Sequence, residues 1–149
     1  MSGWSSWQSA LQHYEWIGIL IARLSVGTLF ALSGSGKLFV PSRRAEMLRT
    51  LRDAGIPAPE VNVVFASSVE FLFGSLLVIG FLTPLCCLML SGVMVVALGT
   101  SVLPRIKAPS LASWLGSVLY LPEVLYLVIL AWLFLSGPGW FSVDYLMWS

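Results

Sequence analysis

Charged residues are scarce in this sequence. They make up 10% of its 149 residues, whereas hydrophobic residues make up 58%. An ordinary soluble domain carries about a quarter charged residues, so this chain has too little polar surface to enclose a soluble core. The net charge is +1, and the sequence contains no basic run or nucleic-acid-binding motif. The composition therefore excludes an ordinary soluble domain and gives no indication of a nucleic-acid partner.

Metal-ligating residues are also rare. The chain has one histidine, His13, and two adjacent cysteines, Cys86 and Cys87, without a C-x-x-C motif or a Cys/His cluster. These residues do not provide a histidine-based metal or haem site, and we predict no bound metal. A disulfide between neighbouring cysteines would close a strained ring, so we interpret the two as small helix residues rather than as a redox pair.

Four apolar stretches are long enough to cross a bilayer as α-helices, which requires about 20 residues each. They are residues 16–39, 61–82, 85–103 and 111–135. The first Lys or Arg of the chain is Arg23, so the positively charged start of a secretion signal is missing, and we expect the first stretch to remain as an anchor. We predict an all-α fold, a single integral membrane four-helix bundle over residues 1–149.

Basic residues lie in two of the connections between these stretches. The positive-inside rule places such connections on the cytoplasmic side, which leaves both termini on the outer side of the membrane. The sequence of the first connection, between the first and second apolar stretches, predicts a short interfacial amphipathic helix over residues 42–54, which Ser42 could cap. We predict that its arginines contact anionic lipid headgroups, with a solvated basic loop as the alternative. The basic residues of the two connections are Arg43, Arg44, Arg49 and Arg52, followed by Arg105 and Lys107.

Four ionisable residues lie within or at the edge of the predicted spans. They are Arg23 and Lys37 on the first, Glu70 on the second and Glu123 on the fourth. A charge at the bilayer centre costs at least ~2.5 kcal/mol, so each side chain needs a partner or water. Both glutamates lie about 13 residues from the outer ends of their helices, near the same level. We predict that the four charges meet inside the bundle as one buried cluster.

Helical spacing supports this cluster. On the first helix, Gly27 and Gly34 share a face with both cations and allow another helix to approach closely. On the fourth, which a proline should bend, Tyr120 and Tyr126 flank Glu123 at spacings of three, and their phenols could donate hydrogen bonds to it. No catalytic residue is assigned, and the alternative is an ion-pair cluster that only fixes helix packing. The candidate ligand-binding residues are Arg23, Lys37, Glu70, Glu123, Tyr120 and Tyr126.

Six short segments, in order along nearly the whole chain, resemble those of the DoxX family of small four-helix membrane proteins. No single segment is specific, but their order and spacing are. The segments are Arg23 with Gly27, residues 33–38 (SGSGKL), residues 54–59 (AGIPAP), Glu70 with Gly74, residues 80–84 (GFLTP) and residues 137–144 (GPGWFSVD).

Members of that family look like membrane partners of redox enzymes, including a thiosulfate:quinone oxidoreductase subunit and components of oxidative-stress complexes. The resemblance implies a quinone-linked role in the bacterial inner membrane, with quinone as the candidate cofactor and a protein partner or a second copy of the chain. No G-x-G-x-x-G motif follows a predicted strand, so the electron carrier must come from a partner or be the quinone, and the chain should not be catalytic alone. Hydrogen bonds to quinone carbonyls could come from Arg23, Lys37, Tyr120 and Tyr126.

Two other functions remain open from the sequence. A structural or assembly protein would use the buried charges for helix packing alone. A small proton or solute transporter would use them as a pathway through the membrane. Against transport, the two halves of the chain show no obvious repeat, and four helices leave little room for alternating access.

Overall fold

The computed structural model describes residues 14–106 and 108–148, so His13, Lys107 and the side chain of Arg105 lie outside the description. The described ranges contain α-helices and no strand, which confirms the prediction of an all-α fold. The helices are α1 (Glu15–Phe39), α2 (Pro41–Asp53), α3 (Pro59–Ile79), α4 (Thr83–Ala97), α5 (Leu111–Leu119), α6 (Pro122–Ser136) and α7 (Val143–Trp148). A π-helical segment, Leu98–Val102, and a 3-10 turn, Leu103–Arg105, follow α4.

Three of these helices are long and apolar enough to cross a membrane. They are α1 with 25 residues, α3 with 21, and α4, which reaches 18 residues when it is continued to Thr100. Their bounds agree with the first three predicted spans to within a few residues. The chain is therefore a small membrane protein with three spans, or with four if α5 and α6 together count as one broken span.

The fourth predicted span is not one helix. A single helix over residues 111–135 was expected with a bend at Pro122, but the helix breaks there and α5 and α6 differ in direction by 63°. Proline lacks the N–H that would continue the helix, and its ring clashes with the preceding turn. Pro122 instead starts α6, where its missing N–H costs nothing.

Glycines bring α1 and α3 into close contact. A Cβ atom added to Gly34 would lie 2.4 Å from the backbone nitrogen of Phe71, and one added to Gly27 would lie 2.9 Å from the carbonyl oxygen of Gly74. No other residue fits at such distances, because its side chain would overlap the facing backbone. The predicted role of Gly27 and Gly34 as close-approach positions is confirmed.

Apolar side chains from α1, α3, α4 and α6 form the centre of the bundle. The fully buried ones include Phe30, Leu77, Leu90, Leu130 and Leu133. Both cysteines belong to this core and carry free thiols, as expected for small helix residues.

The amphipathic helix α2 begins at Pro41, one residue before the predicted start, and Ser42 makes no capping hydrogen bond to it. Proline is favoured at the first helical position because its φ angle already suits the helix. Leu51 is buried, whereas the arginines of α2 are exposed, as the amphipathic pattern predicts. Arg52 pairs at 3.2 Å with Glu60 at the start of α3.

Candidate ligand-binding cavity

A cavity of about 870 Å³ lies between α1, α2, α3, α4 and the first turns of α6. Small-molecule sites in proteins are mostly apolar and measure about 300–1,000 Å³. This cavity has that character, because most of its wall is apolar and polar groups interrupt it at a few points. The polar residues along its length are Ser33, Lys37, Glu70, Glu123 and Tyr126, with Arg43, Glu46, Thr50 and Asn62 toward α2 and Thr100 in the π-helical segment after α4.

An ion pair between α1 and α3 forms part of the cavity wall. The Nζ atom of Lys37 donates hydrogen bonds to Oε1 and Oε2 of Glu70 at 2.8 and 2.7 Å. Ser33, one turn before Lys37, donates from Oγ to Oε2 of Glu70 at 3.0 Å. The carboxylate is 2% exposed and the lysine 25%, so the pair is anchored inside the bundle while the ammonium group borders open space.

The α6 helix contributes two further polar side chains to the cavity. The Oε2 atom of Glu123 is buried and has no hydrogen-bond partner among the described residues. Tyr126 lies one turn further along α6, and its ring packs edge-on against Phe30 at a centroid distance of 5.8 Å. The cavity therefore contains one satisfied carboxylate, on α3, and one carboxylate oxygen that lacks a donor, on α6.

The break in the fourth span leaves this space open. Before Pro122, the chain runs along α5, and no residue of α5 is buried. No residue of α5 lines the cavity. Gly92 on α4 also lines the cavity and adds to the space, since a Cβ atom added there would lie within 4 Å of no described residue other than its neighbours in α4.

Arg23 lies in a different part of the molecule. It is 14 positions before Lys37 on α1, or about 21 Å along the helix axis, and it does not line the cavity. Its guanidinium donates hydrogen bonds to the carbonyl oxygens of Pro138 and Phe141 in the C-terminal segment. The expectation that Arg23 joins the glutamates is wrong, because the C-terminal segment folds back onto α1 and accepts hydrogen bonds from both terminal nitrogens of the guanidinium. The Nε atom has no partner among the described residues.

Asp144, which sequence analysis did not select, holds the same segment in place. Its carboxylate accepts hydrogen bonds from the backbone N–H groups of Leu82 and Thr83 at 2.7 and 2.8 Å, at the start of α4. Its own N–H donates to the carbonyl oxygen of Gly80 at 3.0 Å. We call this end of the bundle, with Arg23, the α3–α4 turn and the C-terminal segment, the terminal end.

Tyr120 also lies outside the cavity. Its side chain is 94% exposed at the junction between α5 and α6. The predicted alignment with Glu123 required a continuous helix, and the break at Pro122 removes it. Ser33, by contrast, was missed although it could have been found, because it lies four residues before Lys37 on the same helix face.

A protein-family model described as DoxX matches residues 18–102, more than half of the chain. The matched region covers α1 to α4 and includes Lys37 and Glu70. Glu123, Tyr126 and the segment from residue 137 to residue 144 lie beyond it, so the match is shorter than the resemblance that the sequence indicated. No curated protein and no solved structure matches the chain significantly.

Proposed function

This chain belongs to the DoxX family, and on that premise we propose that it is a membrane subunit that binds a quinone-like molecule in the cavity. The observation that carries the proposal is the combination of a mostly apolar space of about 870 Å³ with the ammonium group of Lys37 on its wall. A quinone needs an apolar slot and one or two hydrogen-bond donors for its carbonyl oxygens.

The geometry supplies both requirements. The third N–H of the Lys37 ammonium group remains for a ligand, because two of them reach Glu70. The phenol of Tyr126 lines the same space from α6 and provides a second donor. The cavity is open rather than enclosed, and α5 diverges from α6 by 63° beside it, which suits a ligand that arrives from the bilayer. Electrons would come from or go to a partner protein. As part of this proposal, we place the chain and this partner at the bacterial inner membrane.

One observation favours a second function, that of an assembly protein without a ligand. Glu70 is fully satisfied by Lys37 and Ser33, as expected for an ion pair that only fixes α1 against α3. A buried pair of that kind can often be replaced by apolar residues of similar size with little loss of stability. The two functions therefore differ in what such a replacement does to ligand binding.

The test is quinone binding by the double variant Lys37→Met/Glu70→Leu. The full chain is placed in lipid nanodiscs and titrated with a decyl-substituted benzoquinone by calorimetry, with empty nanodiscs as the partition control. We expect saturable binding by the wild type and at least about tenfold weaker binding by the double variant, which should remain folded.

The matched control is Arg52→Met/Glu60→Leu, which removes the exposed ion pair between α2 and α3 and should bind as the wild type does. No saturable binding by the wild type would overturn the proposal. Wild-type affinity in a folded Lys37→Met/Glu70→Leu variant would favour the assembly function instead.

A further inference from the structure

Glu123 has a hydrogen-bonding requirement that the described part of the chain does not meet. Its Oε2 atom is buried, lines the cavity and has no partner there. Leaving a buried acceptor without a donor costs about 1–3 kcal/mol, and more when the group is charged. Buried polar groups in proteins are nearly always satisfied, so this one requires an explanation. Buried atoms of Arg23, Ser67 and Thr83 also lack a partner in the described residues, but none of those three residues lines the cavity.

The surroundings do not provide the missing donor. Lys37 and Ser33 donate to Glu70, and neither makes a hydrogen bond to Oε2 of Glu123. The break before Pro122 turns Tyr120 out of the cavity, so it does not approach the carboxylate. No group of three or more His, Cys, Asp or Glu residues that could hold a metal ion occurs in the described residues. The other polar residues that line the cavity, Tyr126 among them, also make no hydrogen bond to Oε2. A hydroxyl group of a molecule in the cavity would meet this requirement.

We infer that the cavity ligand carries a hydroxyl group that donates a hydrogen bond to Oε2 of Glu123. The inference rests on the proposed function and specifies it, since a quinone in its oxidised form has only acceptors, whereas the reduced quinol has hydroxyl donors. The site prefers the quinol, or another aromatic alcohol with an apolar tail, over the same molecule without the donor. The ammonium group of Lys37 donates to an acceptor of the same ligand.

Two redox-inert probes of nearly the same shape test this preference. 4-Decylphenol has the hydroxyl donor, and 4-decylanisole has a methyl ether in its place. Both are titrated by calorimetry against the full chain in nanodiscs. We expect the wild type to bind the phenol at least about tenfold more tightly, because the hydroxyl supplies the donor that Oε2 of Glu123 lacks.

Variants of Glu123 show whether that residue is the acceptor. Glu123→Leu should bind both probes with equal affinity, within about twofold of the wild-type affinity for the anisole. Glu123→Gln keeps a neutral acceptor oxygen and should retain a preference of about threefold, which also provides a test if the leucine variant does not fold. The control is Glu15→Leu. Glu15 lies in the first turn of α1, just as Glu123 lies in the first turn of α6, but its side chain is exposed.

The outcomes separate this inference from the proposed function. If neither probe nor quinone binds, the proposed function fails and the inference fails with it. If quinone and both probes bind but the wild type shows no preference for the phenol, the inference alone is overturned. A preference that persists unchanged in Glu123→Leu would also overturn it, because the acceptor would then be another residue.

Discussion

The terminal end and the cavity both contain buried charges, but they use them differently. At the terminal end, Arg23 is 2% exposed, and both terminal nitrogens of its guanidinium donate to carbonyl oxygens of the chain's own C-terminal segment. In the cavity, Glu123 keeps a buried oxygen without a partner in the described residues, beside space that a small molecule could fill. A buried charge alone therefore does not mark a ligand site. The Nε atom of Arg23 also lacks a partner in the described residues, but it does not border the cavity. The distinguishing feature is therefore an unmet hydrogen-bonding group that lines unfilled space.

The comparison predicts that variants at the terminal end change stability and not binding. The largest effect should come from Arg23→Ala, which removes the hydrogen bonds to Pro138 and Phe141. Each hydrogen bond from a charged group contributes about 1.5–3 kcal/mol, so we expect a loss of at least about 3 kcal/mol. The apparent stability is measured by thermal unfolding in detergent.

The control for Arg23→Ala is Arg44→Ala, since Arg44 is exposed on α2. An exposed substitution of this kind usually changes stability by no more than about 0.5 kcal/mol. If Arg23→Ala melts at the wild-type temperature, the arginine does not hold the C-terminal segment and the contrast between the two regions is lost.

A smaller effect is expected from Asp144→Ala, which removes the cap from the start of α4. Loss of a capping side chain typically costs about 1 kcal/mol. Asp144→Asn keeps one acceptor oxygen and should lose less. Thermal unfolding measures the loss of stability in each variant. Quinone titration should give the wild-type affinity for both variants. Weakened binding in a folded Asp144→Ala protein would show that the terminal end and the cavity are coupled, contrary to the comparison.

The spans and the α1–α3 contact could be predicted from the sequence because both follow from helical periodicity. Apolar length fixed the first three spans, and the spacing of Gly27 and Gly34 placed them on the contact face with Lys37. The ion pair with Glu70 follows from the same spacing, since the cost of a lone charge in the bilayer demands a partner.

The partner of Arg23 and the position of Tyr120 could not be predicted in this way. Arg23 donates to backbone carbonyls of a segment without periodicity, and any residue type can supply such a carbonyl. Tyr120 was placed by continuing one helical spacing through Pro122, and a single proline can bend a helix or end it. The angle between α5 and α6 affects how open the cavity is. This angle depends on what the two helices pack against rather than on the sequence around Pro122.

The central claim is that the space between α1, α3, α4 and α6 is the ligand site, and filling that space tests it most directly. Gly92 lines the cavity, and Gly116 lies outside it on α5. At both positions, an added Cβ atom would lie within 4 Å of no described residue other than its neighbours in the same helix. Gly92→Trp should therefore fold as Gly116→Trp does, yet place an indole ring in the cavity. Calorimetric titration with the decyl-substituted benzoquinone should give at least about tenfold weaker binding for Gly92→Trp and binding within about twofold of the wild type for Gly116→Trp. Equal, wild-type affinity in both variants would contradict the claim.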